Sequence, residues 1–224
     1  MPLILHIDTA TENAIICISE NEHVIYSLTN SNQKDHASFV QPAIKQLLKK
    51  SDVLISRLEA VSVTAGPGSY TGLRVGMASA KGICYALKIP LITLNTLSVM
   101  ALSVIKNTPE PGAYLYCPMI DARRMEVFTA LFNEELKEII PSVALTLKPD
   151  FLEDYMQNRE IIFCGSGAEK FIKLSDHPNL PYNNNIDTAS SMAFLATKKF
   201  YQKEFANLLN ADPEYLKQFY SIAE

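Results

Sequence analysis

The chain has 224 residues, with 20 Lys and Arg against 24 Asp and Glu, which gives a formal net charge of −4 at pH 7. Apolar residues make up 48% and charged residues 20%, proportions typical of a globular protein that buries a core. With this negative balance the chain has no overall basic field to attract nucleic acid, so any RNA contact must be local or made by a partner. The N-terminus lacks signal-peptide features and no long apolar run predicts a membrane span, so we expect a cytoplasmic protein without membrane contact.

The first third of the chain changes from a two-residue to a 3.6-residue apolar pattern. Three short apolar runs separated by polar turns predict an antiparallel meander of strands. An amphipathic helix follows, and then a strand runs through a glycine-rich loop into a second helix. The predicted strands are 3–8, 14–19, 23–28 and 60–64, the loop is 66–72, and the helices are 35–50 and 73–87.

A similar order begins again after a segment of helix-breaking residues at 107–112. Because both halves mix strand meanders with strand-to-helix crossovers, we predict an α/β fold with a mixed sheet in each of two domains. The predicted domains are residues 1–106 and 107–224. The remaining predicted elements are strands 91–94, 113–121, 126–132, 138–147 and 161–164, helices 96–105 and 189–205, and a short helix after residue 149.

The loop at 66–72 contains three glycines, Gly66, Gly68 and Gly72, which let the backbone turn tightly and approach another group. It lacks the Gly-Lys-Ser/Thr ending of a P-loop, and its glycine spacing is one residue longer than the dinucleotide fingerprint. Phosphate binding is therefore an alternative to the favoured interpretation, which is a closely packed connection between strand and helix.

The helix after this loop is nearly uncharged, since Lys81 is the only charged residue from 75 to 87. Such a helix must be covered on more than one face. Small side chains along it would let another helix approach closely. Burial inside its own domain and contact with a partner chain are both compatible with the pattern.

Few residues are candidates for chemistry. Asp8 ends the first strand at a position where actin-like ATPases keep an acidic residue, although a turn or capping role is the alternative. Gly165 and Gly167 could approach an adenosine or merely close a turn. The turn at 121–124 could recognise an anion through its two arginines or hold an internal ion pair. The histidines and cysteines show no metal-binding spacing, so we expect no metal site.

Three segments, at residues 7–11, 65–76 and 121–128, resemble the TsaB (YeaZ) family in order and spacing. The resemblance implies an actin-like (ASKHA, ribonuclease H-like) fold and a role in forming N6-threonylcarbamoyladenosine at position 37 of tRNA. It further implies a non-catalytic scaffold that binds the transferase TsaD as a heterodimer, helps recruit TsaE, and meets tRNA only through the complex. No cofactor is expected of the chain itself, with ATP or ADP at the composite interface left open.

The resemblance also implies that the helices at 35–50 and 73–87 form a bundle with TsaD. The same helices could instead pair two copies of this chain. A weak nucleotide-binding ATPase, using Asp8 and the turn at 165–167, is the alternative function. The expected interface residues are His36, Phe39, Val40, Leu47, Gly76, Met77, Ser79, Ala80 and Ile83.

Overall fold

The computed structural model describes residues 1–32, 35–177 and 179–217. Its first sheet has five strands in the order β3-β2-β1-β4-β5. The first three strands pair antiparallel, which confirms the predicted meander, whereas β4 and β5 continue the sheet in parallel. The strands are β1 (Leu3–Asp8), β2 (Ala14–Glu20), β3 (His23–Asn30), β4 (Ala60–Gly66) and β5 (Leu91–Asn95).

Helices cover both faces of this sheet. β1 is buried at every position and β4 at all but one, as expected for strands whose two faces are both covered. One face packs against α1 (His36–Lys50) and α2 (Tyr70–Leu87). The other face packs against α3 (Thr96–Lys106) and α6 (Thr188–Gln202).

The second sheet has four strands in the order β8-β7-β6-β9, with β9 parallel to β6 and the other pairs antiparallel. One face packs against α3 and the other against α4 and α5. The sheet therefore shares α3 with the first one. Its elements are β6 (Tyr114–Asp121), β7 (Glu126–Phe132), β8 (Glu138–Thr146), α4 (Glu153–Met156), β9 (Glu160–Cys164) and α5 (Ala168–Leu174).

The end of the chain returns to the first sheet. α6 contributes Met192 and Ala196 to the core beneath β1, and the segment after it pairs Ala206 with Leu91 of β5. The division at residues 106 and 107 stays a prediction, and it would assign these returning residues to the second half. No helix among the described residues is both long and apolar enough to cross a bilayer.

Candidate functional site

The glycine-rich loop before α2 packs against the turn between β1 and β2. The Ser69 amide donates a hydrogen bond to the Ala10 carbonyl at 2.7 Å, and the Thr9 hydroxyl donates to the Gly72 carbonyl at 2.7 Å. A Cβ atom on Gly72 would lie 2.0 Å from the Thr9 carbonyl oxygen, and one on Gly68 would lie 2.3 Å from that of Ala10. The glycines thus permit the close strand-to-helix connection that the sequence favoured.

The nine residues expected at a partner interface lie on α1 and α2, but most face inward. Both helices pack their apolar sides against the first sheet. The expected interface residues on those sides are therefore part of this chain's own core. The structure buries His36, Val40, Leu47, Gly76, Met77 and Ala80, and half-buries Phe39, Ser79 and Ile83. The interface assignment stays a prediction, and its three half-buried members keep some surface open to solvent.

The outward side of α2 carries a row of small, uncharged residues, which we call the outer face. The row is exposed except for Val75, which is half-buried. Steps of four, three and four residues separate its first four members, the spacing at which one helix packs along another. A Cβ atom on Gly82 would meet nothing within 4 Å. The outer face consists of Thr71, Val75, Ala78, Gly82 and Ala86.

The first helix lies beside this face. The Gln41 side-chain amide donates to the Ser79 hydroxyl at 3.1 Å and ties α1 to α2. At the start of α1, His36 is buried, and its Nε2 lies 3.2 Å from the Glu12 carbonyl oxygen, to which it can donate. The sequence had suggested an interface role for this histidine, and the structure places it against the β1–β2 turn.

A cleft of about 620 Å³ opens between the β1–β2 turn, the start of α3 and the turn before α5. Three carboxylates, those of Asp8, Glu12 and Glu169, line it, and no lysine or arginine does so among the described residues. Within residues 1–32, 35–177 and 179–217, no group of three or more His, Cys, Asp or Glu side chains is placed to hold a metal ion. The cleft is therefore acidic, and nothing in its described lining would neutralise a phosphate.

Asp8, the sequence candidate for a nucleotide site, lines this cleft but is largely buried. Its Oδ1 accepts hydrogen bonds from the Thr64 hydroxyl at 2.6 Å and from the Ala10 amide at 2.9 Å. Burial raises the pKa of Asp8, and these two hydrogen bonds act in the opposite direction. The bond to Ala10 is the turn role that the sequence offered as the alternative.

The two glycines before α5 use their amides within the chain. Gly165 donates to the Asn184 side-chain oxygen at 3.0 Å, and Gly167 donates to the Met119 carbonyl at 2.9 Å. A Cβ atom on Gly165 would lie 2.3 Å from the Met100 Cε atom. Close packing thus accounts for both glycines.

The turn at 121–124 holds an internal ion pair. Lys170 donates to Asp121 Oδ1 at 2.5 Å and to the Arg124 carbonyl at 2.7 Å. Arg123 and Arg124 are exposed at the tip of the β6–β7 hairpin, both with positive φ. The lysine partner of Asp121 lies far along the chain, so the sequence alone could not identify it.

Comparison with known proteins relates the chain to tRNA modification proteins. Residues 22–148 match the model of the family "TsaD: tRNA N6-adenosine threonylcarbamoyltransferase". Curated proteins named "tRNA threonylcarbamoyladenosine biosynthesis protein TsaB" from Bacillus subtilis and Escherichia coli are 29% and 26% identical to it. Each alignment covers 96% of this chain. It also covers 93% of the Bacillus subtilis protein and 94% of the Escherichia coli protein. The chain belongs to the TsaB (YeaZ) family.

The structural comparison agrees with this membership. YeaZ from Pseudomonas aeruginosa superposes with a TM-score of 0.78 over 96% of this chain and 100% of its own, at 21% sequence identity. At that identity the likeness concerns the fold. It confirms the expected actin-like architecture of two mixed sheets with helices.

Proposed function

We propose that the chain is a non-catalytic subunit of the cytoplasmic system that makes N6-threonylcarbamoyladenosine in tRNA. In this proposal it binds a TsaD-family transferase as a heterodimer and helps to recruit TsaE, and it meets tRNA only through that complex. Support for the pathway comes from the TsaB relatives, which match this chain over nearly their whole length.

The observation that favours partner binding is the outer face of α2. It is uncharged, built of small residues with helix-packing spacing, and exposed except for Val75. The exposed Tyr85 ring lies beside Gly82, so a second helix could pack along the small residues with this ring at its flank. An exposed face of this kind in a protein with 20% charged residues is typical of an interaction surface.

The choice of a TsaD-family partner rests on homology between the two chains. The match to the transferase family spans residues 22–148, which include both α1 and α2. A transferase of that family therefore has counterparts of these helices. Two related chains can pair through equivalent surfaces about an approximate two-fold axis, which would place four helices in one bundle. The same geometry would allow two copies of this chain to pair.

The cleft supports a second candidate, nucleotide binding by the chain or at the composite interface. Its volume is suitable for a small molecule, and the buried Thr96 hydroxyl beside it has no hydrogen-bond partner among the described residues. A nucleotide would need a divalent cation to offset the three carboxylates there. We therefore rank an ATPase below the partner subunit.

Reconstitution tests the leading proposal. Purified TsaD and TsaE from the same organism are assayed for threonylcarbamoyl transfer to tRNA with and without this chain. The proposal expects product when all three are present, little without this chain, and none with this chain alone. Full activity of TsaD and TsaE without it would contradict the scaffold role, and transfer by this chain alone would contradict the non-catalytic one.

A further inference from the structure

The segment after α6 runs along α2 on the side away from α1. Its Ala206 amide donates to the Leu91 carbonyl at 2.8 Å, and its Glu214 amide donates to the Ala65 carbonyl at 2.6 Å. Leu208 and Ala211, between these two anchors, pack on the core that lies under α2. We call residues 206–217 the strap.

The strap engages both charged residues of α2. Arg74 lies with its guanidinium 3.9 Å from the centre of the Tyr70 ring, and its Nε donates to the Tyr215 hydroxyl at 2.8 Å. Lys81 donates to the carbonyls of Leu209 at 3.3 Å and Ala211 at 2.8 Å. Since α2 has no other charged residue, its two cations are both directed toward the strap.

These cations are close neighbours of the outer face. Arg74 precedes Ala78 by four residues and Lys81 follows it by three, so both lie next to Ala78 on the helix surface. Ala78 and the two cations also line a groove whose opposite wall is the strap residues Asp212, Pro213 and Tyr215. If the strap were released, both long side chains could swing over Ala78.

A free cation at that place would oppose the docking of an apolar helix. Binding would remove water from the charge without supplying a partner, and burying an unpaired charge is costly. Hydrogen bonds to the strap satisfy the same cations while the outer face stays uncharged. The strap therefore affects the surface next to it as well as the core below it.

We propose that the strap is a positioning element of the partner site, which holds Arg74 and Lys81 aside so that α2 offers an uncharged face to an apolar partner helix. This inference rests on the proposed function, because the partner is the TsaD-family transferase. It adds a requirement that α1 and α2 alone do not impose, namely that the strap keep its contacts with the first sheet and with α2.

The first experiment releases the strap in the full-length chain. Glu214→Pro removes the amide that donates to Ala65, and Tyr215→Ala removes the hydroxyl that holds Arg74. We expect the double variant to bind the purified transferase about tenfold more weakly or worse by titration calorimetry. Asn210→Ala changes an exposed strap side chain and serves as the control, with affinity equal to wild type.

The second experiment removes the cations from the released variant. Adding Arg74→Met and Lys81→Met to the double variant should restore the affinity to within about threefold of wild type, because the unpaired charges are gone. Circular dichroism and thermal unfolding confirm which variants are folded before titration. A folded double variant that binds like wild type, or a quadruple variant that stays weak, would overturn the inference alone. Absence of binding by the wild-type chain would overturn the proposed function as well.

Discussion

The outer face of α2 and the cleft between the two sheets differ in exposure, shape and charge. The outer face is exposed and uncharged, and Gly82 leaves open space above it. The cleft is concave and lined by three carboxylates, and its candidate residues Asp8, Gly165 and Gly167 already hydrogen-bond within the chain. One region is shaped to pack against another helix, whereas the polar groups of the other mainly hold the fold together.

Under the proposed function, the actin-like cleft serves the architecture of the fold, and the partner-binding surface lies on α2. In this chain the Asp8 carboxylate supports the β1–β2 turn, and that turn packs on the loop that starts α2. The cleft and the outer face are thus connected through Thr9, Ala10 and the glycine loop. Substitutions can separate the structural role of one region from the binding role of the other.

The largest expected effect distinguishes the inner and outer sides of α2. Ala80 is fully buried against the sheet, so Ala80→Arg should destabilise the fold by about 4 kcal/mol or more. Gly82 is exposed, and Gly82→Arg should leave the free energy of unfolding within about 1 kcal/mol of wild type. Urea unfolding of both variants checks this. Equal stability of the two would mean that α2 is rotated relative to the structure described.

A second substitution tests the connection between the cleft and α2. Gly72→Ala would place a Cβ atom against the Thr9 carbonyl, so we expect a loss of about 3 kcal/mol in the free energy of unfolding. Gly82→Ala is the matched control in the same helix and should gain up to about 1 kcal/mol, since alanine favours helix. Urea unfolding of both variants and of wild type measures these changes. A neutral Gly72→Ala would show that the loop is not closely packed.

Acid pH should weaken the sheet beneath the cleft through His6. Burial lowers the pKa of His6 to about 3, and its two ring nitrogens bond to the Ser62 and Ser19 hydroxyls at 2.6 and 2.8 Å. Between pH 6.5 and pH 3, the His6 ring is protonated in the unfolded chain but not in the folded one. Protonation of His6 therefore lowers the free energy of unfolding as the pH falls, by about 2 kcal/mol at pH 5. Urea unfolding at pH 7 and pH 5 should show that His6→Gln loses about 2 kcal/mol less free energy of unfolding than wild type does. Equal losses in the two proteins would contradict the role given to His6.

The smallest expected effect concerns Asp8. Burial raises the pKa of Asp8, and its hydrogen bonds to Thr64 and Ala10 act in the opposite direction. Asp8→Asn keeps an oxygen that can accept from Thr64 and Ala10, and it should change stability by no more than about 1 kcal/mol at pH 7. Transfer by the reconstituted complex should stay within about twofold of wild type. A hundredfold loss in a stable variant would instead assign chemistry to the cleft.

Much of the fold could be predicted because its local patterns are strong. The predicted strand 3–8 matches β1, and the predicted helix 35–50 differs from α1 by one residue. The start of α2 was placed three residues late, since Ser69 caps the helix and Tyr70 begins it despite Gly72 in the first turn. These elements depend on contacts between near neighbours in the sequence.

The orientation of α2 could not be predicted in the same way. The helix is apolar on nearly every side, so periodicity does not tell which side packs on the sheet. The decisive contact is tertiary, because a Cβ atom on Gly76 would lie 2.5 Å from the Thr9 hydroxyl oxygen. The position of the strap could not be predicted from local sequence either, since its contact between Arg74 and Tyr215 joins residues 141 positions apart.

The most direct test of the central claim is the affinity of the purified TsaD-family transferase for wild type and Gly82→Arg. Gly112→Arg, at an exposed glycine before β6, is the matched control. We predict that wild type and Gly112→Arg bind equally, whereas Gly82→Arg keeps its fold and loses affinity by about a hundredfold or more. Wild-type affinity in a folded Gly82→Arg variant would contradict the claim that the outer face of α2 is the partner site.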